Sequence, residues 1–245
     1  HGKPAGVVTY PEFEADVRAM VAESGASVLD VFVVDRIPQQ ANLDFASLSG
    51  TSRNETDVAL LQHSSGSTGL QKGVALSHLA VFNQLDAYAE AIRLTRDDVI
   101  VSWLPLYHDM GLIACFLMPI LRGVHVVQMS PFDWVRAPYR LLQAISNHRG
   151  TLTWLPNFAY NFCAQKIRDR DMEGVDLSSW RMSVNCSEPV RFKSHEMFYE
   201  RFKAFGLRFE TLQTSYAMAE NVFGVTQSES NAPPRVEQVD RETFI

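Results

Sequence analysis

The chain has 245 residues, of which 46% are hydrophobic and 20% are charged, as is typical of a globular α/β protein with a sizeable core. Its net charge of −6 and isoelectric point of about 5.6 argue against non-specific binding of nucleic acid. Its apolar runs all fall short of the roughly 18 residues that a membrane-spanning helix needs, so we expect no membrane span.

The first 57 residues predict a helix and a strand ahead of a long polar connection. Residues 11–24 carry apolar side chains at helical spacing. Residues 28–34 form a continuous apolar run of the kind found in buried parallel strands. Residues 37–57 are polar and contain Pro, Gly, Ser and Asn, so we expect a long surface connection there.

A strand, a loop and a second strand follow. Residues 58–61 and 74–76 are apolar and strand-like, and the loop between them is rich in glycine and serine. Ser77 stands where it would cap a helix that continues to about residue 93.

Strands and helices alternate through the rest of the chain. We predict strands at residues 99–104, 124–129, 151–155, 181–184, 209–213 and 222–227. We predict helices at residues 112–121, 138–148, 158–168 and 192–205. This alternation indicates an α/β fold with a mainly parallel β-sheet covered by helices. Such sheets bind ligands at loops beyond the carboxyl ends of their strands.

The loop between the strands predicted at residues 58–61 and 74–76 has a composition suited to binding phosphate. From Ser64 to Val74 it contains three glycines, four hydroxyl side chains and one lysine. Glycines allow a tight turn with exposed N–H groups, which together with hydroxyls can wrap phosphate oxygens. The candidate residues are Ser64, Ser65, Gly66, Ser67, Thr68, Gly69 and Lys72. A Walker A motif is excluded because Gln71 precedes Lys72, and a flexible Ser/Gly surface loop is the alternative interpretation.

A second motif, from Trp103 to Leu112, follows a predicted strand and contains the pair His108 and Asp109. Such a pair could orient a substrate carboxylate. On chemistry alone, a histidine that is satisfied within a turn is the commoner situation.

Two further motifs follow later strands. Residues 185–190 read Asn-Cys-Ser-Glu-Pro-Val, and Pro189 alone would account for a strand-to-helix turn there. Residues 213–220 read Gln-Thr-Ser-Tyr-Ala-Met-Ala-Glu, and Glu220 by itself would be a solvated carboxylate.

Together the four motifs resemble those of the adenylate-forming enzymes, the superfamily of acyl-CoA synthetases, luciferases and peptide-synthetase adenylation domains. The loop resembles the phosphate-binding signature of that superfamily, with Gln71 where proline is usual, and residues 104–111 resemble its Leu-Pro-x-x-His-Asp-x-Gly segment. Residues 129–131 and 155–163 resemble the fatty acyl-AMP ligases in particular. The resemblance implies the fold of the large N-terminal domain of these enzymes.

The resemblance also implies a role for each candidate residue. His108 would lie beside the acyl carboxylate, Lys72 would act with the phosphate-binding loop, and Glu220 would hold Mg²⁺, so these three are the expected catalytic residues. ATP would be bound by the phosphate loop and by residues of the last two motifs. Those residues are Asn185, Ser187, Glu188, Pro189, Thr214, Ser215, Tyr216 and Ala217.

The implied reaction is ATP-dependent activation of a fatty or other carboxylic acid to an acyl-adenylate, with release of pyrophosphate. We expect the acyl group to pass to the phosphopantetheine thiol of an acyl carrier protein. Transfer to coenzyme A by an acyl-CoA synthetase is the nearest alternative, and a non-catalytic nucleotide-binding or scaffold fragment is the alternative from another class. The three cysteines are widely spaced in apolar contexts, which predicts buried free thiols in the cytoplasm.

The sequence departs from the superfamily pattern in two respects. Ala114, Cys115, Cys186 and Ala217 stand where glycine is common, which predicts an acyl pocket narrower than a long-chain tunnel. No lysine follows Lys203, whereas the resemblance implies a small C-terminal domain that contributes one. We therefore expect residues 1–245 to be part of the large N-terminal domain, without its start and without the C-terminal lid domain, and to be weak or inactive as an isolated enzyme.

Overall fold

The fold is described from a computed structural model. The described residues are 6–25, 30–37, 52–64, 72–230, 232–237 and 239–240. The chain divides into two compact units, His1–Asp57 and Val58–Ile245.

In the first unit, a short parallel pair of strands accompanies one helix. Strand β1 (Gly6–Thr9) pairs with β2 (Asp30–Val33), which confirms the predicted parallel strand. The strand ends one residue earlier than predicted, because Val34 begins a 3-10 turn, and only its alternate residues Val31 and Val33 are buried. Helix α1 (Glu14–Ser24) follows a single 3-10 turn at Pro11–Phe13, so the predicted helix is confirmed with a tighter first turn. Most of the connection predicted at residues 37–57 lies outside the described residues.

The second unit begins with an antiparallel hairpin that is separate from the main sheet. Strand β3 (Val58–Ser64) pairs with β4 (Lys72–Ser77), and both extend further toward the loop than their apolar residues predicted. Helix α2 (His78–Ala91) begins where the sequence predicts it. The Ser77 hydroxyl caps this helix by accepting the Ala80 N–H at 3.1 Å.

The main sheet has six described strands in the order β10-β9-β8-β7-β5-β6, of which β10 runs antiparallel to its neighbour and the others run parallel. The strands are β5 (Val99–Ser102), β6 (His125–Gln128), β7 (Leu152–Leu155), β8 (Met182–Asn185), β9 (Leu212–Ala217) and β10 (Gly224–Gln227). The helices are α3 (Met118–Arg122), α4 (Pro131–Arg136), α5 (Tyr139–Asn147), α6 (Asn157–Lys166) and α7 (Phe192–Phe202). The predicted α/β fold with a mainly parallel sheet is confirmed.

The segment after β5 differs from the prediction. The helix predicted at residues 112–121 begins earlier, as a π-helix over Met110–Leu117 that continues into α3. The Met118 N–H donates to the Ile113 carbonyl five residues back, which is the wider π-type turn. Nearly every residue in this segment is apolar, so the sequence carries no periodic signal that could separate a π-helix from an α-helix.

Strand β9 also differs from the prediction, since it starts three residues later than the predicted strand at 209–213. A 3-10 turn occupies Phe209–Thr211. The pairing with β8, in which Asn185 lies opposite Thr214, draws the polar residues after Leu212 into the sheet. An apolar run therefore marks only the beginning of this strand.

Tyr88 connects α2 to strands β7 and β10 of the main sheet. Its buried hydroxyl accepts the indole N–H of Trp154 and donates to Gln227 Oε1, both at 2.9 Å. Burial raises the pKa of Tyr88, so the hydroxyl keeps its proton and both bonds. Gly224 lies directly against this ring, because a Cβ there would be 2.7 Å from the ring of Tyr88.

At the amino ends of the strands, Asp98 and Arg181 form a buried ion pair. The Nε and Nη2 groups of Arg181 donate to the two carboxylate oxygens at 2.8 Å each, and the guanidinium also bonds carbonyls at the end of α2. The Thr95 N–H and the Thr151 hydroxyl donate to the same carboxylate at 2.8 and 2.7 Å. Burial alone would raise the pKa of Asp98, but the hydrogen bonds from Arg181, Thr95 and Thr151, with the positive charge of Arg181, together outweigh it and hold the pKa below its usual range.

Candidate functional site

A cleft of about 580 Å³ lies beyond the carboxyl ends of β8 and β9. Its walls come from the segment after β8, from β9 itself and from Thr226 of β10. The lining residues are Ser187, Glu188, Pro189, Val190, Thr214, Ser215, Tyr216, Ala217 and Thr226. Seven of the predicted cofactor-binding residues, from two motifs separated by more than twenty positions, thus share one cleft. Val190 and Thr226 were not among the predicted residues.

Ser187 gives the cleft an unusual backbone feature. Its φ of 72° lies in the left-handed region, which few residues other than glycine adopt. The Ser187 hydroxyl lies 3.6 Å from the sulfur of Met110, so the segment that carries His108 and Asp109 adjoins this end of the cleft.

Strand β9 presents two different kinds of polar side chain. The Ser215 hydroxyl donates to the Thr226 carbonyl at 2.7 Å, and this bond ties β9 to β10. Tyr216 is 59% exposed and lines the cleft with its ring. Within the described part of the chain, no hydrogen bond occupies the Tyr216 or Thr214 hydroxyl, so both are free to meet a ligand.

His108 and Asp109 form a pair at the start of the π-helix. The Nδ1–H of His108 donates to Asp109 Oδ1 at 2.6 Å, and the Met110 N–H donates to the same oxygen at 2.7 Å. The hydrogen bond to Asp109 raises the pKa of His108, an effect that partial burial opposes. The imidazole is half exposed, and its hydrogen bond to Asp109 fixes the orientation of the ring. Nε2 therefore remains available to an anionic group.

Gly111 allows the His108 loop to pack closely against the π-helix. A Cβ at this position would lie 2.3 Å from the Pro105 carbonyl oxygen and 3.2 Å from the Leu104 Cβ. We expect Gly111→Ala to lower the free energy of unfolding by about 1–3 kcal/mol, the usual cost of overpacking, because main-chain atoms must move. Urea titration followed by fluorescence measures this loss. Gly73→Ala is the matched control, since among the described residues a Cβ there meets only His63, at 3.8 Å. An equal loss in both variants would contradict the assignment.

Glu220 lies on a strained turn rather than in the cleft. It belongs to the 3-10 turn Ala219–Asn221, which packs against both strands of the β3-β4 hairpin. Val222 follows with φ 66° and ψ −50°, and the Phe223 N–H bonds the Asn221 carbonyl at 2.7 Å, which together make a rare γ-turn. Strain of this kind in a β-branched residue is often retained at functional sites.

The phosphate-loop candidates are only partly described. Ser64 and Lys72 pair at the loop end of the β3-β4 hairpin, and the structure describes their backbone alone. Ser65, Gly66, Ser67, Thr68 and Gly69 lie outside the described residues. The turn that carries Glu220 packs against the same hairpin, so this carboxylate adjoins the strands from which the loop emerges.

Asn185 is placed differently from the other predicted cofactor-binding residues. Its side-chain Nδ2 donates to Asn157 Oδ1 at 3.1 Å and lies 3.0 Å from His195 Nε2, in the layer of α6 and α7. Side chains alternate between the two faces of a strand, and Asn185 shares its face with Ser183, whose hydroxyl meets Tyr160. The amide of Asn185 therefore lies behind the cleft and not in its wall.

Three of the four residues that replace glycine are buried in the core, and the fourth, Ala217, lines the cleft. Ala114 and Cys115 are fully buried in the π-helix, and Cys186 is buried behind Ser187. The predicted free thiols are confirmed, since Cys115, Cys163 and Cys186 form no disulfide. Burial raises the pKa of Cys115 and of Cys163 to about 12. A narrower acyl pocket remains a prediction.

A larger open recess of about 730 Å³ lies at the opposite, amino-terminal edge of the parallel strands, between the end of α2 and α3. Its charged rim includes Arg93, Arg96 and the pair formed by Arg122 with Asp86. Ligands of open α/β sheets bind at the carboxyl ends of the strands, so the cleft at β8 and β9 is the better candidate despite its smaller volume.

Comparisons with known proteins show the family to which the chain belongs. A profile of the family described as AMP-binding enzyme matches residues 4–242. A medium-chain-fatty-acid–[acyl-carrier-protein] ligase of Teredinibacter turnerae is 32% identical over 77% of this chain and 29% of its own length. A long-chain-fatty-acid–AMP ligase of Mycobacterium marinum is 31% identical over 99% of this chain and 42% of its own length. The chain thus spans less than half the length of these relatives.

Among solved structures, a fatty acyl-adenylate ligase from L. pneumophila, crystallised in complex with acyl adenylate and pyrophosphate, is similar with a TM-score of 0.79. It is 33% identical in sequence, and the match covers 94% of this chain and 39% of that one.

Proposed function

Because this chain belongs to the family of AMP-binding enzymes, we propose that it activates a fatty or other carboxylic acid with ATP. The product is an acyl-adenylate, and pyrophosphate is released. The observation that carries the proposal is the shared cleft, in which Ser187 to Pro189 and Thr214 to Ala217 meet at the ends of adjacent parallel strands.

The cleft suits the adenosine part of ATP. The exposed ring of Tyr216 offers a face on which a purine can stack. Ser187 and Glu188 supply polar groups on the opposite wall, and Pro189 supplies an apolar surface. The Thr214 hydroxyl, which makes no hydrogen bond among the described residues, is suited to donate one to a phosphate oxygen, and Ser215 lies beside it.

In the proposed reaction, a carboxylate oxygen of the acid attacks the α-phosphorus of ATP. The bond from that phosphorus to the oxygen bridging to the β-phosphate breaks, and pyrophosphate leaves. His108, with a raised pKa and a ring held by Asp109, would orient the attacking carboxylate through Nε2. Positioning and stabilisation of charge on the phosphate oxygens supply most of the rate enhancement in such reactions.

Phosphates and Mg²⁺ would be held at the β3-β4 hairpin. Lys72, Ser65, Ser67 and Thr68 would bind the β- and γ-phosphates. In the described part of the chain, no cluster of three or more His, Cys, Asp or Glu side chains could enclose a metal ion. Glu220 is exposed and makes no ion pair among the described residues, which fits Mg²⁺ that takes one protein carboxylate and otherwise phosphate oxygens and water. Mg²⁺ bound there would neutralise charge on the phosphates.

The acyl acceptor is proposed to be the phosphopantetheine thiol of an acyl carrier protein, with coenzyme A as the alternative. The name of the Teredinibacter relative, an acyl-carrier-protein ligase, supports the first. We propose a cytoplasmic location, which the three unpaired cysteines support. No helix in the described part of the chain is both long and apolar enough to cross a membrane.

Calorimetric titration of the chain with non-hydrolysable acyl-adenylate analogues, from short to long acyl groups, tests the proposal. We expect binding that depends on acyl length. We expect Tyr216→Ala to weaken it about tenfold, because stacking of a base on an aromatic ring is lost. Tyr10→Ala is the matched control, since Tyr10 is 61% exposed and belongs to the other compact unit, His1–Asp57.

Two results would contradict the proposal. One is the absence of binding by a chain that circular dichroism shows to be folded, which would leave a scaffold or degenerate fragment as the better description. The other is an equal loss of affinity in the Tyr216→Ala and Tyr10→Ala variants. Coenzyme A and a phosphopantetheinylated carrier protein, offered in turn to the preformed adenylate, separate the two acceptors.

A further inference from the structure

A buried network of amide groups lies behind the segment 186–191, which lines the cleft. Asn157, the first residue of α6, is only 6% exposed. Its Oδ1 accepts two hydrogen bonds, from the main-chain N–H of Arg191 at 3.0 Å and from Nδ2 of Asn185 at 3.1 Å. The Oδ1 atom of Asn157 is therefore hydrogen-bonded both to Asn185, immediately before this segment, and to Arg191, at its end.

The donors and acceptors of the network allow only one arrangement. The Asn185 amide has two N–H bonds, one directed at Asn157 Oδ1 and the other at His195 Nε2 at 3.0 Å. The Nε2 atom must then accept, so the imidazole is neutral with its proton on Nδ1. Burial lowers the pKa of His195 to about 4, in agreement with a neutral ring.

This arrangement has a cost at the side-chain oxygen of Asn185. Among the described residues, Asn185 Oδ1 is buried and has no hydrogen-bond partner. Rotating the amide is unfavourable, because it would bring two acceptor oxygens, those of Asn185 and Asn157, against each other. An unsatisfied buried oxygen is rare and is retained where the rest of the network serves a purpose.

A second connection holds the same segment from the same helix. Glu188 Oε1 accepts the main-chain N–H of Phe158 at 2.5 Å. The start of α6 thus binds the segment at Glu188 and at Arg191, while Ser187 between β8 and Glu188 adopts its left-handed conformation. Carboxylates are favoured at helix amino termini, which strengthens this contact.

We propose that Asn157 is a positioning residue for the cleft. It fixes segment 186–191 through Arg191 and Asn185, and so sets the position of the Ser187 to Pro189 wall against Tyr216. The ligand side of this inference rests on the proposed function, because adenosine is the group that the wall would contact.

The test compares Asn157→Ala, Asn157→Asp and Asn161→Ala with the unmodified chain. Asn157→Asp keeps an oxygen that accepts both bonds and places a negative charge at a helix amino terminus, so it is the conservative rescue. Asn161→Ala removes an amide of the same helix that makes no hydrogen bond among the described residues. The two measurements are affinity for a non-hydrolysable acyl-adenylate analogue and amide hydrogen exchange over residues 182–191.

We expect Asn157→Ala to bind the analogue about tenfold more weakly, the usual effect of losing a buried acceptor. Exchange of the amides at 186–191 should become at least about tenfold faster, while exchange at residues 182–185 of β8 stays unchanged. Asn157→Asp should restore both properties, and Asn161→Ala should change neither. A purely structural role for Asn157 would not predict that Asn157→Asp restores both the exchange in segment 186–191 and the affinity for the analogue.

The outcomes separate this inference from the proposed function. If the unmodified chain binds the analogue and Asn157→Ala binds it equally well, the inference is overturned. If Asn157→Ala does not fold, the folded Asn157→Asp variant is measured in its place. Weaker binding of the analogue by Asn157→Asp than by the unmodified chain then overturns the inference. If the unmodified chain does not bind the analogue, the proposed function fails. Hydrogen exchange then decides the positioning role by itself. Unchanged exchange in Asn157→Ala would overturn that role, and faster exchange confined to residues 186–191 would support it.

Discussion

In an intact enzyme that contains this chain, Lys72→Ala is expected to abolish ATP–pyrophosphate exchange. Lys72 begins β4 directly opposite Ser64, so its main chain is held at the point where the phosphate loop leaves the hairpin. A fixed positive charge there would offset the charge that builds on the phosphates as pyrophosphate leaves. Removing one such donor from a reaction centre usually lowers the rate about 100- to 1,000-fold. Exchange of labelled pyrophosphate into ATP measures the loss.

The charge argument is checked by two further variants. Lys72→Arg keeps the charge but changes its shape, so we expect partial activity. Lys193→Ala removes an exposed lysine from α7, outside the cleft, and should leave exchange unchanged. Exchange that survives in Lys72→Ala at the unmodified rate would remove Lys72 from the catalytic residues.

The sequence predicts the parallel core of this fold well because each strand there is a short apolar run between turn-forming residues. Strands β5 and β7 are buried on both faces, so nearly all their residues are apolar and their position is plain. Strand β9 is different, because its second half is polar and is held in the sheet by pairing with β8 and β10. Pairing partners are set by tertiary structure, which a local pattern does not contain.

Side-chain direction limits what motifs predict about the site. Ser187 and Tyr216 reach the cleft, as their motifs predict, while Asn185 within the same motif turns its amide to α6 and α7. Asn157 was not selected as a site residue, although it stands just after Pro156 at the carboxyl end of β7. A polar residue at that edge of a parallel sheet is a signal that could have identified it. Its partner, Arg191, is 34 residues away and contributes a main-chain N–H, which no sequence pattern reports.

Asp98→Ala is expected to destabilise the main sheet strongly. The Asp98 carboxylate lies ahead of β5 and accepts hydrogen bonds from Arg181 before β8 and from Thr151 before β7. Removing it leaves the guanidinium of Arg181, only 23% exposed, without its counter-charge. Loss of one partner from a buried ion pair typically costs about 3–5 kcal/mol. All four tryptophans lie in the unit Val58–Ile245, so their fluorescence during urea unfolding measures this loss.

The dependence on pH distinguishes lost charge from lost packing. Because the folded-state pKa of Asp98 is depressed, its contribution is present in full above the unfolded-state pKa of about 3.9 and is lost as the pH falls through the folded value. The difference in unfolding free energy between the unmodified chain and Asp98→Asn should therefore be constant from neutral pH down to about pH 5 and shrink at lower pH. Asp97→Ala removes the adjacent exposed carboxylate and should cost less than about 0.5 kcal/mol. If Asp98→Ala is no less stable than Asp97→Ala, the ion pair does not hold the amino ends of these strands together.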